Sequence, residues 1–332
     1  MLIHPPVWEQ AAADARAEGR AGFDFAPIFA GVAPVTRRAD LAICEMETPL
    51  APPQGPFAGY PTFSAPPQVL TALVHAGYDS CTTASNHTID QGYDGLKRTL
   101  DELDAAGLKH TGSARTAAEA ARPLIMTMPN GAKVAQLAYS FGFNGLTRPP
   151  GKEWEANLTD VPAILAAAHR ARAAGADIVV LSMHWGVEYV HDATPEQEAQ
   201  ARAVLASPDV DVILGDHAHA VEPFQRINGK WVAYCMGDQI SRHAEPINDD
   251  REGVMPRFTF TEIGPHRWKA TLAEAIPTWI DITPKVRLID LPAALASAST
   301  TATDRATYAA AHQRITGYLD ARGAQRTGLI VR

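Results

Sequence analysis

The sequence predicts an α/β protein with a largely internal sheet. Through about residue 236, short apolar runs rich in β-branched residues alternate with segments of helical periodicity. After residue 255 the texture changes: 257–262 and 268–274 alternate apolar with polar and read as paired antiparallel strands. Four of the apolar runs also end in polar groups able to bind metal or move protons. In α/β sheets ligands bind at the carboxyl ends of strands, so these four ends are expected to meet at one site.

The elements follow in order. Met1-Leu2-Ile3 runs into Pro5-Pro6 like the end of a strand whose beginning is missing, and residues 7–20 read as a helix. Residues 40–44 form a buried strand ending in Glu45-Met46-Glu47. Residues 51–67, rich in proline and glycine, form an irregular surface loop. A helix over 68–76 precedes a strand over 77–84, which delivers Asn86-His87, and a helix over 93–106 stops at Gly107. Residues 133–139 are a strand, and 161–174 an Ala-rich helix stopped at Gly175. The run 177–183 is a buried strand delivering His184 and Glu188. Thr194 caps a helix over 195–206. Strands over 210–214 and 231–236 deliver Asp216-His217-Ala218-His219 and Gly237-Asp238, and residues 302–320 are a last amphipathic helix.

Composition narrows the function. Of 332 residues, 46% are hydrophobic and 20% charged, which supports a sizeable core and excludes wholesale disorder. A net charge of −8 argues against a nucleic-acid partner. No stretch approaches the roughly 18 apolar residues of a membrane span. The N-terminal residues lack a basic-then-apolar signal pattern, and localisation is left open. The three cysteines, Cys44, Cys81 and Cys235, are widely spaced and odd in number, so no disulfide framework is expected.

The 12 histidines stand out, several of them clustered. Imidazole is the commonest protein metal ligand and the commonest acid–base group near neutrality. Each strand end has an ordinary alternative reading: Glu47 as a solvated side chain, Asn86-His87 as a turn, His184 beside Trp185 as a packed core histidine. His217 and His219 lie on one face of an extended segment, which favours ligation. Carboxylate, amide and imidazole together suit Zn²⁺, Mn²⁺ or Fe²⁺ better than Ca²⁺.

The segments 39–50, 85–92, 184–189 and 215–219 followed by Glu222-Pro223 resemble the CapA family, and 234–238 resembles that family's later strand-end motif. These are bacterial proteins linked to poly-γ-glutamate capsule synthesis and related to the calcineurin-like metallophosphatases. The resemblance runs over about residues 1–263. It implies a four-layer α/β/β/α metallophosphatase-like sandwich with two divalent ions, Mn, Zn or Fe, between the sheets, its first strand truncated here. Residues 1–290 would form that domain and 291–332 a C-terminal helical extension.

By the same resemblance Glu47, Asn86, His184, His217 and His219 are metal ligands, with Asp216 an alternative to His217. His87 is the acid–base residue oriented by Asp90, and Glu188 stands behind the ligands or serves as a second acid–base group. The chain departs from the family's pattern at Glu45, where relatives carry Asn or His, at Asp216, where they often carry His, and at Asp238, where Asn is expected. It also begins where the residue after the family's first-strand Asp should lie.

The resemblance implies a metal-dependent hydrolase of a phosphoester, polyglutamate or peptide amide substrate, with capsule-synthesis membrane partners. The alternatives are a non-catalytic assembly or anionic-polymer-binding component with a degenerate site, and a metal-dependent peptide epimerase. Phe57, Tyr60, Phe63, Trp154 and Asn157, from loops 51–67 and 144–158, are candidate substrate contacts, with loop packing as the alternative.

Overall fold

A computed structural model describes residues 1–243 and 247–332. Its strands are β1 (Ile43–Glu45), β2 (Ser80–Thr82), β3 (Lys109–Thr111), β4 (Leu124–Thr127), β5 (Lys133–Ser140), β6 (Ile178–Trp185), β7 (Val212–His217), β8 (Phe224–Ile227), β9 (Lys230–Ala233), β10 (Glu252–Gly264), β11 (Arg267–Asp281), β12 (Arg287–Asp290) and β13 (Leu329–Val331). Its α-helices are α1 (Pro5–Ala17), α2 (Ala26–Phe29), α3 (Ala33–Thr36), α4 (Val69–Ala76), α5 (Gly92–Ala106), α6 (Ala117–Ala120), α7 (Val161–Ala173), α8 (Pro195–Ala206), α9 (Leu291–Ala296) and α10 (Ala302–Asp320).

Three sheets form. One has the order β1-β2-β3 and is parallel; one runs β4-β5-β6-β7-β9-β8 with a parallel centre; the third is the long β10-β11 hairpin joined by β12 and β13. Strict alternation explains the stacking of the six-stranded sheet. Val134, Ile178, Val180 and Val212 face the β10/β11 sheet, while Ala135, Val179, Leu181 and Ile213 face α7 and α8. Helices α4 and α5 cover the three-stranded sheet through Leu70, Leu73, Leu96 and Leu100. The result is the expected α/β architecture, with paired sheets inside and helices outside.

Local signals set the helix ends. Thr194 and Gln197 form a reciprocal capping box that starts α8. Pro5 and Pro6 start α1 because their missing N–H groups would have no partner there. That helix ends at Ala17 rather than 20, since Gly19 turns with φ +70°. The C-terminal residues join the core: Tyr308, Ile315 and Leu319 of α10 pack with Trp279, and β13 pairs with β11.

Two sequence expectations need correction. Met1–Ile3 is not a strand; Met1 lies beside β1, donating from its amino nitrogen to Glu45 O at 3.1 Å, while Leu2 N donates to Ile240 O at 3.0 Å. The cysteine count also misled. Cys44 and Cys81 are register partners on β1 and β2, with Cα atoms 4.4 Å apart, and form a disulfide; Cys235 is free and buried. An odd count leaves one cysteine over but does not forbid one bridge.

A cavity of about 350 Å³ separates the free edge of β1 from β10. Its lining includes residues 38–45 and 255–260, the apolar side chains of Val134, Ile178, Val180 and Val212, and Glu45, Glu47 and Asp216. Among the described residues no helix is long and apolar enough to cross a membrane.

Candidate metal centre

The strand ends converge. Glu47 lies two residues past β1, and the Ser85 hydroxyl donates to its carbonyl at 2.7 Å, tying it to the loop after β2. In that loop Thr88 Oγ1 accepts from Ser85 N at 2.7 Å and donates to Thr83 O at 2.8 Å, and His87 N donates to Ser85 Oγ at 3.1 Å. These bonds fix Asn86 and His87 at the end of the sheet. Strand β6 delivers His184 opposite Asp216 of β7. Gly215 lets β7 approach its neighbour: a Cβ there would stand 1.7 Å from Tyr234 O.

Strained backbone gathers where β5, β6 and β7 end. Four of the six non-glycine residues with positive φ among those described, Asn144, Tyr189, His217 and His219, lie at this site. Such conformations persist where surrounding structure over-determines them, and they cluster at functional sites.

Glu47 Oε1 stands 3.9 Å from His184 Nε2 and 3.8 Å from His219 Nε2, and Asn86 Oδ1 is 3.1 Å from the same His184 nitrogen. His184 Nδ1 is 2.6 Å from Glu45 Oε1; with the ring's proton on that nitrogen, Nε2 is an acceptor. In that tautomer three acceptors, Glu47 Oε1, Asn86 Oδ1 and His184 Nε2, face one another, and Glu47 Oε1 is buried without a hydrogen-bond partner. Buried acceptors facing each other repel unless a cation lies among them. The donor set thus fits a divalent ion with nitrogen and oxygen ligands.

Carboxylates orient three of the histidines. Glu45 holds His184, Asp238 holds His219 Nδ1 at 2.9 Å, and Asp90 holds His87 Nδ1 at 2.7 Å while accepting from Phe63 N at 2.8 Å. Each pair turns the far nitrogen of its ring inward. Burial keeps His184 neutral, its pKa lowered to about 3, and pushes Glu45 up to about 7. Burial also pulls on His219, but the charge and hydrogen bond of Asp238 outweigh it and hold the imidazolium to about 10.

The remaining candidates are placed as follows. Burial lowers His217 to about 2; its Nδ1 is unpartnered, and its ring lies 4.7 Å from that of His184. Its ligand atom, that of His219 and the exposed Glu188 carboxylate lie within 4.8 Å of one another. Asp216 is buried in the cavity lining, its pKa raised well above the usual carboxylate range by burial and then by Glu45. Of the loop residues, Phe63 sits edge-on to His87 at 4.7 Å. Phe57 packs on Trp8 and Phe23, Trp154 on Tyr93, Asn157 Nδ2 donates to Ala138 O, and Tyr60 is exposed.

Sequence reading missed His4, His243 and Asn144. His243 Nε2 is 3.1 Å from Asp238 Oδ2, and its ring is 4.7 Å from that of His4. Asn144 Oδ1 accepts from Asn86 Nδ2 at 3.2 Å, which turns the Asn86 oxygen toward His184. No spacing signal marks these residues, because each reaches the site from a loop.

A chain of this architecture has recognisable relatives. Residues 1–243 match the family model described as bacterial capsule synthesis protein PGA_cap. The PGA biosynthesis protein CapA of Bacillus subtilis is 27% identical over 215 residues, covering 63% of this chain and 54% of that protein. A probable polyglutamine synthesis accessory protein of Mycobacterium tuberculosis is 26% identical over 201 residues, covering 57% and 50%. The chain thus spans about half the length of the curated relatives it matches. Among solved structures, a calcineurin-like phosphoesterase of Bacillus subtilis gives a TM-score of 0.41 at 16% identity over 75% of this chain and 74% of that one, too slight a likeness to bear on function. The match over residues 1–243, most of the chain, places it: the protein belongs to the bacterial capsule synthesis protein family.

Proposed function

We propose that this chain is a metal-dependent hydrolase of capsule or poly-γ-glutamate metabolism, acting on a phosphoester or on a γ-glutamyl or peptide amide bond. The observation that supports it most directly is the buried Glu47 Oε1, unpartnered and set between His184 Nε2 and His219 Nε2. Glu47, Asn86 and His184 would hold one divalent ion. Glu47, His217 and His219, with Glu188 or Asp216 nearby, would hold a second. Bound there, such ions polarise an ester or amide oxygen and lower the pKa of a coordinated water.

The chain's own groups would do the rest. His87, fixed by Asp90 through Nδ1, presents Nε2 as the group that gives a proton to the leaving atom. Asn144 bonds Asn86 Nδ2 and so keeps the Asn86 oxygen directed inward. Phe63 packs against the His87 ring and limits its rotation.

The test is elemental analysis of protein loaded with Mn²⁺, Zn²⁺ or Fe²⁺, followed by hydrolysis assays on an aryl phosphodiester and on γ-glutamyl peptides. One to two ions per chain, lost in Glu47→Gln, with turnover of either substrate, is the expected result. Metal-free protein with no turnover would leave the non-catalytic assembly role standing. Deuterium uptake from solvent into a peptide without hydrolysis would favour epimerisation.

A further inference from the structure

We infer that the site selects substrates carrying a flat apolar or aromatic group beside the scissile bond, received by the exposed rings of Phe141 and Tyr189. The inference rests on the metal-dependent reading above and names its substrate class.

A row of imidazoles lines the site. The rings of His184 and His217 are 4.7 Å apart, and those of His217 and His219 are 6.1 Å apart. Aromatic side chains pack against this row at two places. Phe141 lies 4.5 Å from the His217 ring and stacks parallel to His184, 6.2 Å away at 9°. Tyr189 lies 6.1 Å from the His219 ring and 6.0 Å from that of His243, with its hydroxyl 3.4 Å from His243 Nδ1.

Both rings stay open to solvent, Phe141 at 47% and Tyr189 at 43%, although each touches a buried imidazole. Val187 and Val190, in the same loop as Tyr189, are also exposed, so apolar surface gathers at the mouth. Apolar surface concentrated beside a cleft marks a binding site more than scattered exposure does.

The backbone that carries both rings is also held in place. Phe141 N donates to His184 O at 3.0 Å, extending the β5–β6 pairing past its last register pair. Tyr189 N donates to Ala218 O at 2.6 Å, and its backbone adopts φ +61°, a conformation costly for a bulky residue. A backbone held in this way keeps both side chains at the mouth, which suits them to recognition. Among the described residues no lysine or arginine makes a hydrogen bond or ion pair with these site groups.

The experiment compares phenylphosphonate with methylphosphonate, two oxyanions differing in the flat group, by calorimetric titration of the Mn²⁺-loaded chain. Phenylphosphonate is expected to bind on the order of three- to ten-fold tighter, the scale of one aromatic contact. Phe141→Ala and Tyr189→Ala should each shrink that ratio toward one while retaining bound Mn²⁺, which also reports folding. Equal affinity for the two phosphonates would overturn the aromatic grip and leave the metal reading intact. Binding of neither phosphonate to the Mn²⁺-loaded chain would overturn the aromatic grip, and failure of the chain to take up Mn²⁺ would overturn both.

Discussion

Asp238 holds His219 through Nδ1 at 2.9 Å, and the same carboxylate accepts from Ser241 Oγ at 2.6 Å and contacts His243 Nε2 at 3.1 Å. Its pKa is drawn well below the carboxylate range by His219, against the opposing pull of burial. The pair has a consequence for metal uptake. With His219 held protonated up to about 10, an ion binding at its Nε2 near neutral pH displaces that proton. Uptake should therefore release a proton and tighten as pH rises toward 10. Titrations in two buffers of different ionisation enthalpy measure the release, and Asp238→Asn should reduce it while weakening metal binding about 10- to 100-fold.

His87 should separate from the ligands. Its Nδ1 is bonded to Asp90 at 2.7 Å. His87→Gln should keep the metal and lower turnover on the order of 10²–10⁴-fold, whereas His219→Ala should lose metal. Parallel elemental analysis and rate measurement on the two variants decide it; equal metal loss would make His87 a ligand.

The strand ends were legible because strands carry their chemistry at one edge: four apolar runs sufficed to point at Glu47, Asn86, His184 and His219. The long strand β6 and the capped helix α8 were likewise readable from periodicity and from Thr194. Strands β3, β4, β8, β12 and β13, only three or four residues long, were not, since each depends on pairing rather than on its own pattern. Asn144 and His243 escaped for a related reason: their positions follow from loop conformation, which sequence spacing does not encode. Glu45, Asp216 and Asp238 could be noticed as departures, but only geometry shows Glu45 and Asp238 orienting imidazoles while Asp216 faces the cavity.

The Cys44–Cys81 bridge joins β1 to β2 directly below the loops carrying Glu47 and Asn86. Denatured, unreduced protein should show one reactive thiol, from Cys235, and reduction should expose three. The loop it closes, with a sequence separation of 37, corresponds to about 4 kcal/mol at most by chain entropy. Reduction, or Cys44→Ser with Cys81→Ser, should lower the melting temperature. Three thiols without reductant would show that the bridge does not form.

Glu222 should make the fold lose stability on the alkaline side. Its carboxyl is fully buried after the His219 segment, accepts from Gln197 Nε2 at 2.7 Å, and leaves Oε1 without a hydrogen-bond partner among the described residues. Burial pushes its pKa up to about 8, against a hydrogen bond from Gln197 that acts the other way. In the unfolded chain the same group titrates near 4.5. Between those values the folded state binds the proton and the unfolded state does not, so the stability contributed is full below 4.5 and is lost as pH rises through 8. Each unit of difference corresponds to about 1.4 kcal/mol, so the total effect is a few kcal/mol at most. Glu222→Gln keeps an acceptor for Gln197 and cannot ionise. Urea unfolding between pH 5 and 9 should show the wild-type stability falling relative to the variant, with the two curves closest at the acid end. Parallel curves across that range would mean that Glu222 titrates alike in both states and that water or a shifted proton relieves its burial.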